Sequence, residues 1–280
     1  MNRALLVIIT ILIISGCHKS HNNVVVPNID TAVAYKNIVY ATDSVLQAMD
    51  VYLPANRDVA NTRVIILIHG GGWAYGDKSN FDGAGLDSFF NSKGCAVVNM
   101  NYRFDINTPY PASLYDIGQV MDYIKRKSQE WKVNPDRICL MGRSAGSHLA
   151  MMYAYNSNKD GRIKAVIDGF GPTDLVDSTV VFGPLAKDVN ALLGAYSFNT
   201  QAWHDASPLF YASTGVPTVI FQGTIDSTVY FSQSTMLMDS LLHYGVPCMF
   251  APWIGHGHGW FQDEWVEWRA ATYDWISQFL

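Results

Sequence analysis

One serine stands in a sequence context that is typical of a reactive hydroxyl. Ser144 is the centre of Gly142-Arg-Ser-Ala-Gly146, which follows the apolar run Ile138–Met141 and precedes a segment with a helical pattern. A G-x-S-x-G turn between a strand and a helix carries its serine on a sharp bend above the carboxyl edge of a sheet. The glycines let strand and helix approach closely, and the free N–H groups at the helix start favour negative charge. We therefore predict that Ser144 is a nucleophile.

A nucleophilic serine needs hydrogen-bond donors for the negative charge that develops on its substrate. The segment His69-Gly-Gly-Gly-Trp73 follows a predicted strand and precedes Ser144 in the chain, as the oxyanion loop of a lipase or esterase does. Successive glycines allow backbone N–H groups to point at one spot. We predict an oxyanion hole formed by the amides of Gly71, Gly72 and Ala145, with the Trp73 amide as an alternative to one glycine.

The hydrophobic pattern predicts the elements that must position these residues. Strands are predicted at Tyr35–Tyr40, Leu46–Leu53, Arg63–Ile68, Ala96–Tyr102, Ile138–Met141, Ile163–Ile167, Thr218–Gln222 and Cys248–Trp253. Helices are predicted at Phe81–Lys93, Ala112–Gln129, Ser144–Tyr155, Tyr230–Tyr244 and Phe261–Leu280. This alternation predicts the α/β class, with a mainly parallel eight-stranded sheet and helices on both faces. Residues 171–216 interrupt the alternation, contain a short helical pattern around Pro184–Leu193 and are predicted to form a small cap insertion over the substrate pocket.

The first residues of the chain predict export rather than a part of the fold. Residues 1–16 have a positive start and the apolar run Ala4–Ile14, which is too short to span a bilayer and fits a signal peptide. Ile14-Ser-Gly-Cys17 resembles the lipobox of bacterial lipoproteins, which implies a lipid on Cys17 and attachment to a membrane at the bacterial cell envelope. Residues 17–34 are then a tether and residues 35–280 the domain. The alternative is a plain secretory signal in which Cys17 is incidental.

Composition limits the other partners. The chain has 280 residues, of which 49% are hydrophobic and 15% charged, and this fits one α/β domain with a large core. Its formal net charge is −5 and it has no cluster of lysine and arginine, so we expect no nucleic-acid partner. It has no Cys-x-x-Cys motif or His-rich pair, and we expect neither a metal ion nor a cofactor.

Four motifs occur in order with fitting gaps: His69-Gly-Gly-Gly-Trp73, Asn101-Tyr-Arg103, Pro135-Asp-Arg-Ile138 and Gly142-Arg-Ser-Ala-Gly-Ser-His148. Together they resemble the α/β-hydrolase superfamily, in the branch of bacterial carboxylesterases and feruloyl or acetyl carbohydrate esterases. The resemblance covers residues 35–280 and implies the α/β-hydrolase fold. One departure is Ser147, where the family often has a second glycine.

The resemblance implies a catalytic triad in the chain order serine, acid, histidine. The segment Gly223-Thr-Ile-Asp-Ser-Thr-Val229 matches the acid loop of the family, which assigns the acid to Asp226, with Asp168 at the end of an earlier strand as its rival. The family pattern Gly-His-Gly-aromatic falls on Gly257-His-Gly-Trp260 and assigns the base to His258. His256 competes with it from two residues away.

The implied function is a serine hydrolase: a carboxylesterase that hydrolyses short acyl or carbohydrate-linked esters through an acyl-enzyme. Its substrate would be a small-molecule or oligosaccharide ester. An amidase, formamidase or peptidase of the same fold is an alternative, because side chains that the motifs do not include select the leaving group. A lipid-anchored binding protein that has lost catalysis is the alternative from another class.

Overall fold

A computed structural model describes residues 30–81, 84–104, 108, 110–259 and 261–280. The predicted signal peptide, Cys17 and most of the predicted tether lie outside these ranges. Within them, no helix has both the length and the apolar character that a membrane span requires.

Eight strands form one sheet, which confirms the predicted fold class. The strands are β1 (Val33–Val39), β2 (Ala48–Leu53), β3 (Val64–Ile68), β4 (Ala96–Met100), β5 (Ile138–Arg143), β6 (Ile163–Gly169), β7 (Thr218–Gly223) and β8 (Cys248–Trp253). Their order across the sheet is β1-β2-β4-β3-β5-β6-β7-β8. β2 pairs antiparallel with β1 and with β4, and the other neighbours pair parallel.

Eight α-helices accompany the sheet in the described ranges. They are α1 (Leu86–Ser92), α2 (Ala112–Trp131), α3 (Ala145–Met152), α4 (Ser178–Val181), α5 (Ala186–Leu193), α6 (Tyr196–Asp205), α7 (Phe231–His243) and α8 (Gln262–Ile276). The predicted helix at Ser144–Tyr155 begins one residue later and passes into a π-helical turn at Tyr153–Ser157.

Both faces of the sheet are buried, as a parallel sheet with helices on each side requires. In β3, Val64, Ile66 and Ile68 contribute to one core, which includes apolar side chains of α2, α3 and α7. The alternate residues Ile65 and Leu67 contribute to the second core, with apolar side chains of α1 and α8. One strand therefore supplies apolar side chains to both cores.

The strand order brings the glycine loop and the serine together. β4 lies on one side of β3 and β5 on the other, and Ile68 is opposite Gly142 in the register of β3 and β5. The chain reverses its direction across the sheet at this point, and such a switch point opens a crevice at the carboxyl ends of the strands.

Residues 171–216 lie between β6 and β7 and contain α4, α5, α6 and a 3₁₀ segment at Pro208–Thr214. α5 matches the helical pattern expected around residues 184–193. α6 was not predicted from the sequence, and its backbone departs from helical geometry at Asn199. Its Trp203 is fully buried and donates from Nε1 to the carbonyl oxygen of Gly194 at 3.0 Å, which holds α6 to the end of α5.

Candidate active site

Ser144 occupies a strained turn between β5 and α3. Its backbone has φ 51° and ψ −120°, in the positive-φ region that residues other than glycine rarely adopt. A Cβ on Gly142 would lie 2.3 Å from the backbone carbon of Gly146, and a Cβ on Gly146 would lie 2.1 Å from the carbonyl oxygen of Ile68. The two glycines of the motif are therefore required by backbone contacts, and the turn places the serine at the switch point.

The turn is tied to the neighbouring strand through Gly169. The Ser144 amide donates to the Gly169 carbonyl oxygen at 2.8 Å. The Gly169 amide donates to Oγ of Ser147 at 2.8 Å, and this hydroxyl is fully buried. Ser147, where the resemblance favoured glycine, thus fastens the first turn of α3 to the end of β6 and satisfies a buried N–H group.

Three side chains from distant parts of the chain meet beside this turn. His258 Nε2 lies 3.0 Å from Oγ of Ser144, and His258 Nδ1 lies 2.8 Å from Oδ2 of Asp226. The edge of the His258 ring packs against Phe170, with the ring centroids 4.9 Å apart. This is hydrogen-bond geometry for a nucleophile, a base and a group that orients the base.

The Asp226 carboxylate is fully buried, and hydrogen-bond donors reach both of its oxygens. Oδ1 accepts from the amides of Thr228 at 2.8 Å and Val229 at 3.0 Å. Oδ2 accepts from Nε2 of Gln222 at 2.9 Å as well as from His258. Gln222 is held in turn by the hydroxyl of Ser234 at 2.9 Å. The motifs did not include Gln222 or Ser234, and only their contacts reveal this support.

The rival groups lie elsewhere. Asp168 is buried at the end of β6 and accepts from the Gly171 amide at 2.8 Å, and its Oδ2 has no hydrogen-bond partner in the described ranges. Burial raises the pKa of Asp168 to about 7. His256 Nε2 lies 3.0 Å from Oε1 of Glu264, and the His256 ring packs on Phe261. The contacts given for His256 and Asp168 therefore involve residues other than Ser144 and His258.

The glycine loop lies against the serine. A Cβ on Gly70 would be 3.3 Å from the Ser144 Cβ. Gly71 and Gly72 have φ 121° and 54°. Within the residues that the structure describes, the amides of Gly71, Gly72 and Ala145 donate to no other protein group. They are therefore available to a ligand, and a free N–H at the start of α3 also carries the positive end of the helix dipole.

Two further histidines support this loop from within the core. His148 Nδ1 accepts from the indole N–H of Trp73 at 3.2 Å, and its Nε2 donates to the carbonyl oxygen of Ala206 at 2.7 Å. Burial lowers the pKa of His148 to about 4 and also lowers the pKa of His69. His69 stacks on the Tyr102 ring with centroids 4.4 Å apart. Both rings are buried, and the lowered pKa of each favours its neutral form.

Ser144 and His258 face a cleft of about 430 Å³. Its walls include the glycine loop, Phe170 and Arg143, and the insertion adds Leu185 and Asp188. A larger hollow of about 590 Å³ between α2 and Tyr153–Ser157 contains none of the predicted site residues. In the described part of the chain, no group of three or more histidine, cysteine or acidic side chains is arranged to hold a metal ion.

Known proteins resemble this chain in sequence. Residues 49–241 match the sequence profile of the BD-FAE family. The probable carboxylic ester hydrolase LipM of Mycobacterium tuberculosis is 26% identical over 208 residues, which are 69% of this chain and 48% of LipM. The chain thus spans about half the length of this curated relative.

Solved structures of esterases share the fold. A truncated carbohydrate esterase from gut microbiota superposes with a TM-score of 0.76 at 21% identity, over 89% of this chain and 97% of that one. Esterase 2 of Thermogutta terrifontis, phosphonylated by sarin, superposes with a TM-score of 0.73 at 21% identity, over 90% of this chain and 96% of that one.

Proposed function

The chain belongs to the BD-FAE family, within the α/β-hydrolase esterases, and from this premise we propose that it is a serine carboxylesterase that hydrolyses short acyl or carbohydrate-linked esters. The observation that carries the proposal is the pair of contacts that links Ser144 to His258 at 3.0 Å and His258 to Asp226 at 2.8 Å, beside the glycine loop.

In the proposed mechanism, Ser144 attacks the ester carbonyl while His258 Nε2 accepts the hydroxyl proton. Asp226 accepts a hydrogen bond from Nδ1 of His258, which orients the ring and stabilises the imidazolium. The amides of Gly71, Gly72 and Ala145 bind the tetrahedral oxyanion, and each donor is worth about 3 kcal/mol. His258 then donates its proton to the leaving alcohol. A water molecule, deprotonated by the same ring, releases the acid from the acyl-enzyme.

The substrate class rests on the family and on the names of similar proteins. LipM is named a carboxylic ester hydrolase, and the structure that superposes at a TM-score of 0.76 is named a carbohydrate esterase. A cleft of about 430 Å³ fits an ester with a short acyl group. An amidase or peptidase is the second candidate, since the same three side chains also serve amide hydrolysis.

We also propose that a lipid on Cys17 holds the enzyme at the bacterial envelope, for which the support is the sequence before residue 18.

The test is the Ser144→Ala variant. We expect it to fold and to lose hydrolysis of p-nitrophenyl acetate by about 10⁴-fold or more, because the nucleophile is absent. A fluorophosphonate probe should label the unaltered protein on Ser144 and leave the variant unlabelled. Retained turnover in the variant would remove Ser144 from the role, and an unlabelled parent protein would favour a binding module.

A panel of substrates tests the class. We expect turnover of acetylated xylan, feruloylated sugar or p-nitrophenyl esters, and slower turnover of the matching amides. Faster hydrolysis of the amides would favour the amidase alternative.

A further inference from the structure

One carboxylate of the insertion faces the catalytic cleft. Asp188 lies in the first turn of α5, is half-buried and contributes to the wall of the cleft that holds Ser144 and His258. Its Oδ2 is 3.1 Å from the position that a Cβ on Gly72 would occupy. In the described ranges, its side chain makes no hydrogen bond or ion pair.

This position is costly for the proposed reaction. Gly72 is one of the residues that would bind the oxyanion, and a second negative charge nearby opposes the charge that develops there. A half-buried carboxylate without a donor also loses hydration. Both costs fall when a substrate brings a hydrogen-bond donor to Asp188, and an ester without such a donor leaves the carboxylate unsatisfied.

We propose that Asp188 is a specificity-determining residue that accepts a hydrogen bond from a hydroxyl group of the substrate, so that hydroxylated esters react faster than isosteric apolar esters. The inference rests on the proposed esterase function. It gives the insertion a chemical role: α5 supplies an acceptor beside the oxyanion loop. A site built to bond a hydroxyl group discriminates strongly against an analogue that lacks it.

A different result is expected if Asp188 serves only to stabilise α5. An acidic residue in the first turn of a helix interacts favourably with the helix dipole. In that case its replacement would lower the melting temperature and leave the choice between substrates unaltered. The test therefore measures selectivity and stability on the same variants.

Neutral substrates are required, because Arg143 also contributes to the cleft wall and would respond to a charged ester. Two isosteric pairs place the hydroxyl in the alcohol or in the acyl part: 2-hydroxyethyl acetate against propyl acetate, and ethyl 3-hydroxybutyrate against ethyl 3-methylbutyrate. We expect the unaltered enzyme to prefer the hydroxylated member of at least one pair by about tenfold in kcat/KM. The pair that shows the preference identifies the part of the substrate that meets Asp188.

In Asp188→Ala, we expect the ratio of kcat/KM within that pair to fall to about one, because the acceptor is gone. Asp188→Asn keeps an acceptor oxygen and should retain part of the preference. The matched control is Glu267→Ala, which removes an exposed negative charge from α8 and should leave the ratio unaltered.

Two results would overturn the inference: equal kcat/KM for both members of each pair in the unaltered enzyme, or a preference that persists in Asp188→Ala. Absence of hydrolysis for all four esters and for p-nitrophenyl acetate would instead reject the esterase function. A lower melting temperature with an unaltered ratio would assign Asp188 to the helix dipole.

Discussion

Two buried carboxyl groups lie near the carboxyl ends of neighbouring strands of the sheet, and their surroundings differ. Asp226 comes after β7, and donors from Thr228, Val229, Gln222 and His258 reach its two oxygens. Asp168 is the last residue but one of β6, and one of its oxygens has no partner among the residues that the structure describes. Both groups are removed from water, so burial alone does not distinguish a carboxylate that can orient a histidine from one that cannot.

The difference lies in how many donors the backbone directs at each group. The loop after β7 turns two successive amides toward Asp226, which makes a site that a negative charge can occupy. At Asp168 the chain supplies the amide of Gly171, and burial raises the pKa of the carboxyl to about 7. The number of donors is thus a better guide to a catalytic acid than its depth.

The largest expected effect is on turnover in Asp226→Asn. The asparagine side chain has one acceptor oxygen, which cannot serve both Nδ1 of His258 and the backbone amides of Thr228 and Val229. The imidazole ring of His258 therefore loses its orientation, and the imidazolium loses the negative charge that stabilises it. We expect kcat on p-nitrophenyl acetate to fall by about 10⁴-fold. Asp168→Asn, assayed alongside, should change kcat by less than about threefold because Asp168 does not contact His258. Equal losses in the two variants would erase the distinction between the carboxyl groups.

The second effect is on stability, and it depends on pH. The Asp168 pKa is about 7 in the folded protein against an ordinary value of 3.8, so the folded state keeps a proton that the unfolded chain releases. Raising the pH through this window therefore lowers the free energy of unfolding, by on the order of 4 kcal/mol in all. Asp168→Asn cannot ionise, and its stability relative to the parent protein should rise between pH 4 and 7.

Urea unfolding at pH 5 and pH 8 measures this change. The exposed substitution Asp239→Asn on α7 is the control and should show no such dependence. A difference between Asp168→Asn and the parent protein that is the same at both pH values would contradict a raised pKa.

The smallest effect concerns a third carboxylate, Glu264, which pairs with His256 at 3.0 Å. The side chains are 25% and 23% exposed, and partly exposed pairs of this kind contribute about 0–1 kcal/mol. His256→Ala should therefore change kcat/KM by less than about threefold, whereas His258→Ala should approach the loss of Ser144→Ala. Similar activity in the two histidine variants would show that the imidazole nearest Ser144 is not the base.

The sheet was predictable because each strand carries its own signal. The run Val64–Ile68, for example, consists of valine, isoleucine and leucine only, and burial on both faces follows from that composition. The strand ends then place Ser144 and the glycine loop at one switch point, since register is set by the same buried residues. The insertion has a weaker hydrophobic pattern than the strands. The sequence did not predict α6, because the helical pattern of this segment is weak and its backbone departs from helical geometry at Asn199.

The support around the site could not be predicted, because it depends on contacts between segments that lie far apart in the chain. Nothing in the order of residues indicates that Asp188 lies over Gly72, or that the hydroxyl of Ser147 accepts from Gly169. The choice between His256 and His258 rested on a family pattern. Their different partners appear only when α8 brings Glu264 beside the loop.

The insertion has consequences for how such an enzyme diversifies. It leaves the sheet after β6 and returns at β7, and these strands are hydrogen-bonded neighbours with Gly169 opposite Phe221. Because the strands are parallel, its two roots lie at opposite ends of the pair: one follows Gly169, and the other precedes Thr218, which is opposite Val166. A replacement segment that keeps the carbonyl oxygen which Ala206 offers to His148 can differ elsewhere in length and composition, and such exchanges would give the fold new substrate ranges.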